Sequence, residues 1–151
     1  MPKIKYMFYI ESAIPWVGKT GKMLGACINK LFKQHNIDLT REQFIVLKLL
    51  EQNDGIPLLD LVFITESNKT TLSRLIATME KNNLVEKTTT EGDKRIKKIY
   101  LTPFGIKTIN NTTPLVLHTI KKIEEGLTSN EINTTINTLK KIQTNINNFH
   151  N

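Results

Sequence analysis

The residues in this sequence best suited to chemistry are those that bind a polyanion. Lys69, Thr70, Thr71, Ser73 and Arg74 are followed closely by Lys87, Asp93, Lys94, Arg95, Lys97 and Lys98. Hydroxyls and a guanidinium hydrogen-bond to phosphate oxygens and base edges, and clustered cations release counterions when they neutralise phosphates. From Lys87 to Lys98, five cations stand against Glu91 and Asp93 alone.

Positioning these groups requires a helix and a hairpin. Leu72, Leu75, Ile76 and Met79 recur at i, i+3, i+4 and i+7, which predicts an amphipathic helix from Asn68 to Lys81 with one buried stripe. Lys69, Thr70, Ser73 and Arg74 then face outward. Asn68 is the predicted N-cap, and the free N–H groups and positive dipole end of the first turn favour anions. Leu84 to Thr89 predicts a strand, Glu91 to Asp93 a turn, and Ile96 to Leu101 the returning strand. Taken singly, a Thr/Ser-rich first turn is a solvated cap and a basic hairpin a solvated turn. Together they form the layout in which a helix enters a major groove and a wing reaches the adjacent minor groove.

Length and composition agree with that reading. The 151 residues, 39% of them hydrophobic, suit one domain or a small domain with helical additions, and the net charge of +7 favours a polyanionic partner. Residues 41–68 are net acidic and set the basic hairpin apart. The single cysteine, Cys27, forms no intramolecular disulfide and sits among Leu24, Ile28 and Leu31, where it is expected to be buried. No signal peptide or membrane span is visible, so a soluble cytoplasmic protein is expected. His35, His118 and His150 are too scattered for a metal motif. A Gly-rich phosphate loop, a nucleophile elbow and an HExxH motif are all missing, so neither an enzyme nor a cofactor or metal is expected.

The remaining elements follow in order. A first helix carries Val17, Met23, Leu24, Cys27, Ile28, Leu31 and Phe32, with Pro15 near its start. Thr40 and Gln43 form a capping box before a short helix through Phe44, Val46, Leu47 and Leu50. Pro57 is placed as the first residue of a helix bearing Leu58, Leu61, Val62 and Ile64, and the tight turn Thr65 to Ser67 joins it to the Asn68 helix as a helix-turn-helix. Thr102 and Pro103 open a long helix that Pro114 is expected to kink or restart, with Thr113 as a new cap. Thr128 and Glu131 form a second capping box, and the last helix shows a stripe through Ile132, Ile136, Leu139, Ile142, Ile146 and Phe149. That stripe must bury itself against the chain's own first helix or against a second copy; a dimer built from both termini is the favoured reading.

Five motifs in register carry a family resemblance. LTREQFIVL at 39–47, LSRL at 72–75, LVEK at 84–87, DKR at 93–95 and LTPFG at 101–105 resemble the MarR family of winged-helix transcription regulators over roughly residues 37–132. The resemblance implies a mainly α fold with a small two- or three-stranded wing. It divides the chain into an N-terminal dimerisation helix (1–36), a winged helix-turn-helix lobe (37–102) and C-terminal dimerisation helices (103–151). It further implies a homodimer on a pseudo-palindromic double-stranded operator, released by a small aromatic effector. By residue matching, Asn68, Lys69, Thr70, Thr71, Ser73 and Arg74 would face the major groove and flanking phosphates. Arg95 would enter the minor groove, with Asp93 bracing its loop and Lys94 and Lys97 on phosphates. Tyr9, Trp16 and His118 are candidates for lining an effector pocket, with ordinary core packing the competing reading.

The chain departs from the family pattern at three points. Asn83 stands where glycine is usual and can take the same left-handed backbone. Ile96 replaces a small residue beside the wing tip, and Pro114 interrupts the helix linking lobe and dimer, so both the wing path and the lobe separation are expected to depart from the family picture. The competing functional class is a winged-helix module that uses the same wing against an acidic protein surface.

Overall fold

The computed structural model describes residues 11–90 and 93–149, without the side chains of 90 and 93–95. The elements run α1 (Ala13–Gln34), α2 (Arg41–Gln52), β1 (Ile56–Pro57), α3 (Leu58–Ile64), α4 (Lys69–Lys81), β2 (Val85–Thr90), β3 (Asp93–Leu101), α5 (Pro103–Ile123) and α6 (Ser129–Phe149). The chain is thus mainly α with a three-stranded antiparallel sheet in the order β1-β3-β2. Two compact units are present: one runs to Pro114, the other from Leu115.

The helices begin where local side-chain chemistry ends the preceding loop. Thr40 Oγ1 accepts from Gln43 N at 3.2 Å while Gln43 Oε1 accepts from Thr40 N at 2.9 Å, so two orphan first-turn donors are satisfied reciprocally. Thr128 and Glu131 repeat the arrangement at α6, with Glu131 Oε2 accepting from Thr128 N at 2.7 Å. The bonds from the Thr128 backbone and then its hydroxyl hold the Glu131 carboxyl below the usual carboxylate range. Asn36 ends the first helix with a φ of 54°, a left-handed conformation that asparagine tolerates.

In the first unit the core gathers Phe32 of α1, Val46, Leu47 and Leu50 of α2, Leu61 of α3, Leu72, Ile76 and Met79 of α4, and Ile99 of β3, all essentially inaccessible. Phe32 meets the Phe44 ring at 5.8 Å and a tilt of 54°, which ties α1 to α2. In the second unit, by contrast, α6 buries no residue: Ile136 is 43% and Ile146 51% exposed.

Three expectations are corrected. The helix does not restart at Pro114; α5 runs through it from Pro103 to Ile123. Proline removes only its own bond to the preceding turn, and Thr112 and Thr113 lie within the helix, donating their hydroxyls to Thr108 O and Ile109 O, each at 2.7 Å. Thr113 is therefore not a new cap. Cys27 is exposed, as are Met23 and Leu24 on the same stretch of the α1 stripe. Pro57 lies just before its helix, on the edge strand β1 opposite Lys98, where a missing N–H disturbs no central ladder.

The tightest backbone approach lies where α5 begins. A Cβ on Gly105 would stand 2.0 Å from the Leu84 carbonyl oxygen. Gly105→Ala is expected to lower stability by about 1–3 kcal/mol despite alanine's better helix propensity. Gly18→Ala, with nothing within 4 Å of the new Cβ, should be neutral or stabilising. Thermal melts of the two variants check the contrast.

Candidate nucleic-acid interface

The helix-turn-helix is built by α3 and α4. Its turn closes through Ser67 N to Val62 O at 3.2 Å and Thr65 N to Leu61 O at 3.0 Å. Glu66 occupies the left-handed position there with a φ of 50°, where glycine would be free of steric cost. Asn68 caps α4 as its sequence predicts, its Oδ1 accepting from Thr71 N at 2.8 Å. Its amide oxygen is thus engaged by the helix, which keeps the first turn ordered.

Burial of Leu72, Ile76 and Met79 turns the opposite side of α4 to solvent. Lys69, Thr70, Thr71 and Arg74 are exposed and Ser73 is half-buried at the edge of the core. Arg74 forms no ion pair among the described residues, so its guanidinium is available to an external anion. Three of the four groups assigned outward from sequence, Lys69, Thr70 and Arg74, are therefore exposed, and Thr71 joins them.

The wing leaves the end of α4 through Asn83, whose φ of 58° is the left-handed conformation expected of it. β2 and β3 pair from Val85 opposite Leu101 to Thr89 opposite Lys97. The next pair is Thr90 with Asp93, so the register shifts and Lys94 to Ile96 fall outside the regular ladder. This irregularity lies where Ile96 was expected to alter the wing path, and Ile96 is 43% exposed. Lys97 is exposed. The side chains of Asp93, Lys94 and Arg95 lie outside the described residues.

Two features at the wing root escape sequence reading. Lys87, one of the basic hairpin's cations, is held 3.0 Å from Glu80 of α4, so it ties the wing to the helix and is not a free charge. Asp54, in the turn before β1, accepts from Gly55 N at 3.1 Å and from Leu101 N at 2.9 Å, fixing the end of β3 from a position 47 residues away. Gly55 beside it has a φ of 76°, and a Cβ there would stand 2.6 Å from the Tyr100 ring.

The candidate effector residues are not brought together by anything described. Trp16 belongs to the first unit, is 52% exposed and has Lys19 Nζ 5.5 Å from its ring centroid. His118 belongs to the second unit and is exposed. Tyr9 lies outside the described residues. Among the described residues, no group of three or more His, Cys, Asp or Glu side chains could hold a metal, and no helix is long and apolar enough to cross a membrane.

The MarR family model matches residues 39–97, from the end of the α1–α2 loop into β3. A transcriptional regulator of Escherichia coli, HosA, is 30% identical over 95 residues, covering 58% of this chain and 70% of HosA. The chain belongs to the MarR family. A MarR-family transcriptional regulator from Listeria monocytogenes, solved complexed with DNA, is 30% identical with a TM-score of 0.80, covering 91% of this chain and 90% of that one. A mutant E. coli MarR complexed with operator DNA has the same fold, with a TM-score of 0.81 at 21% identity over 89% of this chain and 96% of that one.

Within this MarR-family lobe, Asp54 is expected to steady the wing without touching the exposed face of α4. Asp54→Ala should cost about 1 kcal/mol and speed amide exchange at Leu101 while leaving exchange in α4 nearly unchanged, as hydrogen-exchange NMR can check.

Proposed function

We propose that this MarR-family regulator is a homodimer that binds a pseudo-palindromic double-stranded operator, with α4 of each copy in a major groove and each wing over the neighbouring minor groove. The observation that carries the reading is the exposed face of α4, with Lys69, Thr70, Thr71 and an Arg74 that has no ion pair among the described residues, beside a basic hairpin. Arg74 reads base edges, Thr70, Thr71 and Ser73 add hydrogen bonds to bases and phosphates, and Lys69 and Lys97 neutralise phosphates. Arg95 enters the minor groove, Lys94 binds phosphate and Asp93 braces the tip. Asn68 contributes by holding the first turn in shape.

Dimerisation is supported by α6, whose apolar stripe has no buried residue among the described residues, and by the exposed Met23, Leu24 and Cys27 side of α1. Exposed stripes of this size on monomers mark association surfaces. Residues 1–36 and 103–151 are therefore proposed as dimerisation segments around the 37–102 lobe. A two-fold dimer sets half-sites about 34–36 Å apart. The proposed setting is the cytoplasm, with the DNA it regulates.

The test selects duplexes from a random pool with the purified protein and compares variants on the selected site. Arg74→Ala should lose about 1–3 kcal/mol on that site and relax specificity at one position. Lys97→Ala should weaken all duplexes alike and reduce the salt slope by about one. Failure to enrich any sequence, with Arg74→Ala binding like the parent, would point instead to a protein-interaction module.

A further inference from the structure

Ile96 is the one large apolar side chain that the described part of the sheet exposes. Ile56 of β1, Val85 of β2 and Ile99 of β3 are buried, whereas Ile96 stands open near the wing tip. The exposed residues around it on the two strands are polar: Thr88, Thr89 and Lys97. Ile96 therefore belongs to no apolar patch of the kind that marks a protein-binding surface. Its neighbours in sequence are Lys94, Arg95, Lys97 and Lys98. Because the register moves from Thr89 opposite Lys97 to Thr90 opposite Asp93, the residues Lys94 to Ile96 are inserted against a single step of β2, and the regular alternation of side chains is suspended there. The steps from Val85 to Thr90, at about 3.4 Å each, put the tip about 17 Å from the wing root. That is half of the roughly 34 Å helical turn, the offset between a major groove and its neighbouring minor groove.

An exposed isoleucine within a run of cations gains nothing from a phosphate. It gains by leaving water for the deoxyribose C–H walls of the minor groove, or for the gap between two base pairs. We propose that Ile96 is an apolar wedge that enters the minor groove beside Arg95 and partly unstacks one base step, so that this protein selects a pyrimidine–purine step, TA above all, under each wing. Pyrimidine–purine steps are flexible and easily unstacked, and CA or TG would place the guanine amino group on the groove floor in the way of the wedge. An arginine acting alone favours the opposite kind of DNA, the stiff A-tract with a narrow groove. TpA and ApA present the same minor-groove acceptors, so discrimination between them reports deformability and not hydrogen bonding. The role of Ile96 rests on the regulator reading, which assigns the wing to DNA but gives this side chain no part.

The experiment uses the full chain and the duplex selected from the random pool, with the step under each wing located by adenine N3 protection. That step is built as TpA or as ApA, and binding is read by fluorescence anisotropy. The parent should bind the TpA duplex at least about fivefold tighter than the ApA duplex. Ile96→Ala should narrow the ratio to within about twofold, while Ile96→Leu keeps it. With 2-aminopurine in place of the adenine of that step, the parent should raise the fluorescence on binding and Ile96→Ala should not. Because TpA and ApA are compared on the parent, the result does not depend on how a variant folds. Equal binding of the two duplexes by the parent, a preference that survives in Ile96→Ala, or a silent 2-aminopurine would each overturn the wedge, while specific binding through Arg74 left the regulator reading standing. Failure to enrich any duplex would overturn both.

Discussion

The Leu84 carbonyl is the point on which the lobe's geometry depends. It accepts from Thr102 N at 3.2 Å, and the Thr102 hydroxyl donates to Asn83 O while accepting from Gly105 N at 2.9 Å. One short cluster therefore joins the end of α4, both legs of the wing and the first turn of α5. Thr102 is buried, so its hydroxyl has no water to fall back on and must keep these partners. Gly105 is required because α5 starts against that carbonyl, leaving no room for a side chain. The orientation of the wing relative to α4 is thus set by this buried cluster, with the Lys87–Glu80 pair as a second tie at the surface.

Around that junction the polar groups divide into those spent on structure and those left over. Asn68 caps α4, Lys87 pairs with Glu80 and Asp54 holds Leu101. Lys69, Arg74 and Lys97 have no such employment among the described residues and stay exposed. A site for a polyanion needs that division, since fixed supports give geometry and uncommitted cations give attraction. The same contrast holds for apolar surface: α4 buries Leu72, Ile76 and Met79 in the lobe, while α6 has no buried residue among the described residues.

Features set by chemistry within a few residues were legible in the sequence. The caps at Thr40, Asn68 and Thr128 depend on a side chain and an N–H three residues on, so the residue types alone predict them. Asn83 was legible for a similar reason, because few residues tolerate its φ. Long-range pairings were not. Nothing local to Asp54 announces Leu101, and Lys87 reads as a free wing cation until α4 brings Glu80 beside it. Cys27 was misjudged because a helical stripe says which residues share a face and not what covers that face. The restart expected at Pro114 does not occur because one missing donor does not end a helix whose other bonds persist.

The claim that α4 lies in the major groove and the wing over the minor groove can be tested by probing the selected duplex with dimethyl sulfate. The reagent reports guanine N7 in the major groove and adenine N3 in the minor groove. The account predicts two patches of N7 protection about one helical turn apart, each flanked by N3 protection. Protection at N3 alone, or none that depends on sequence, would contradict it.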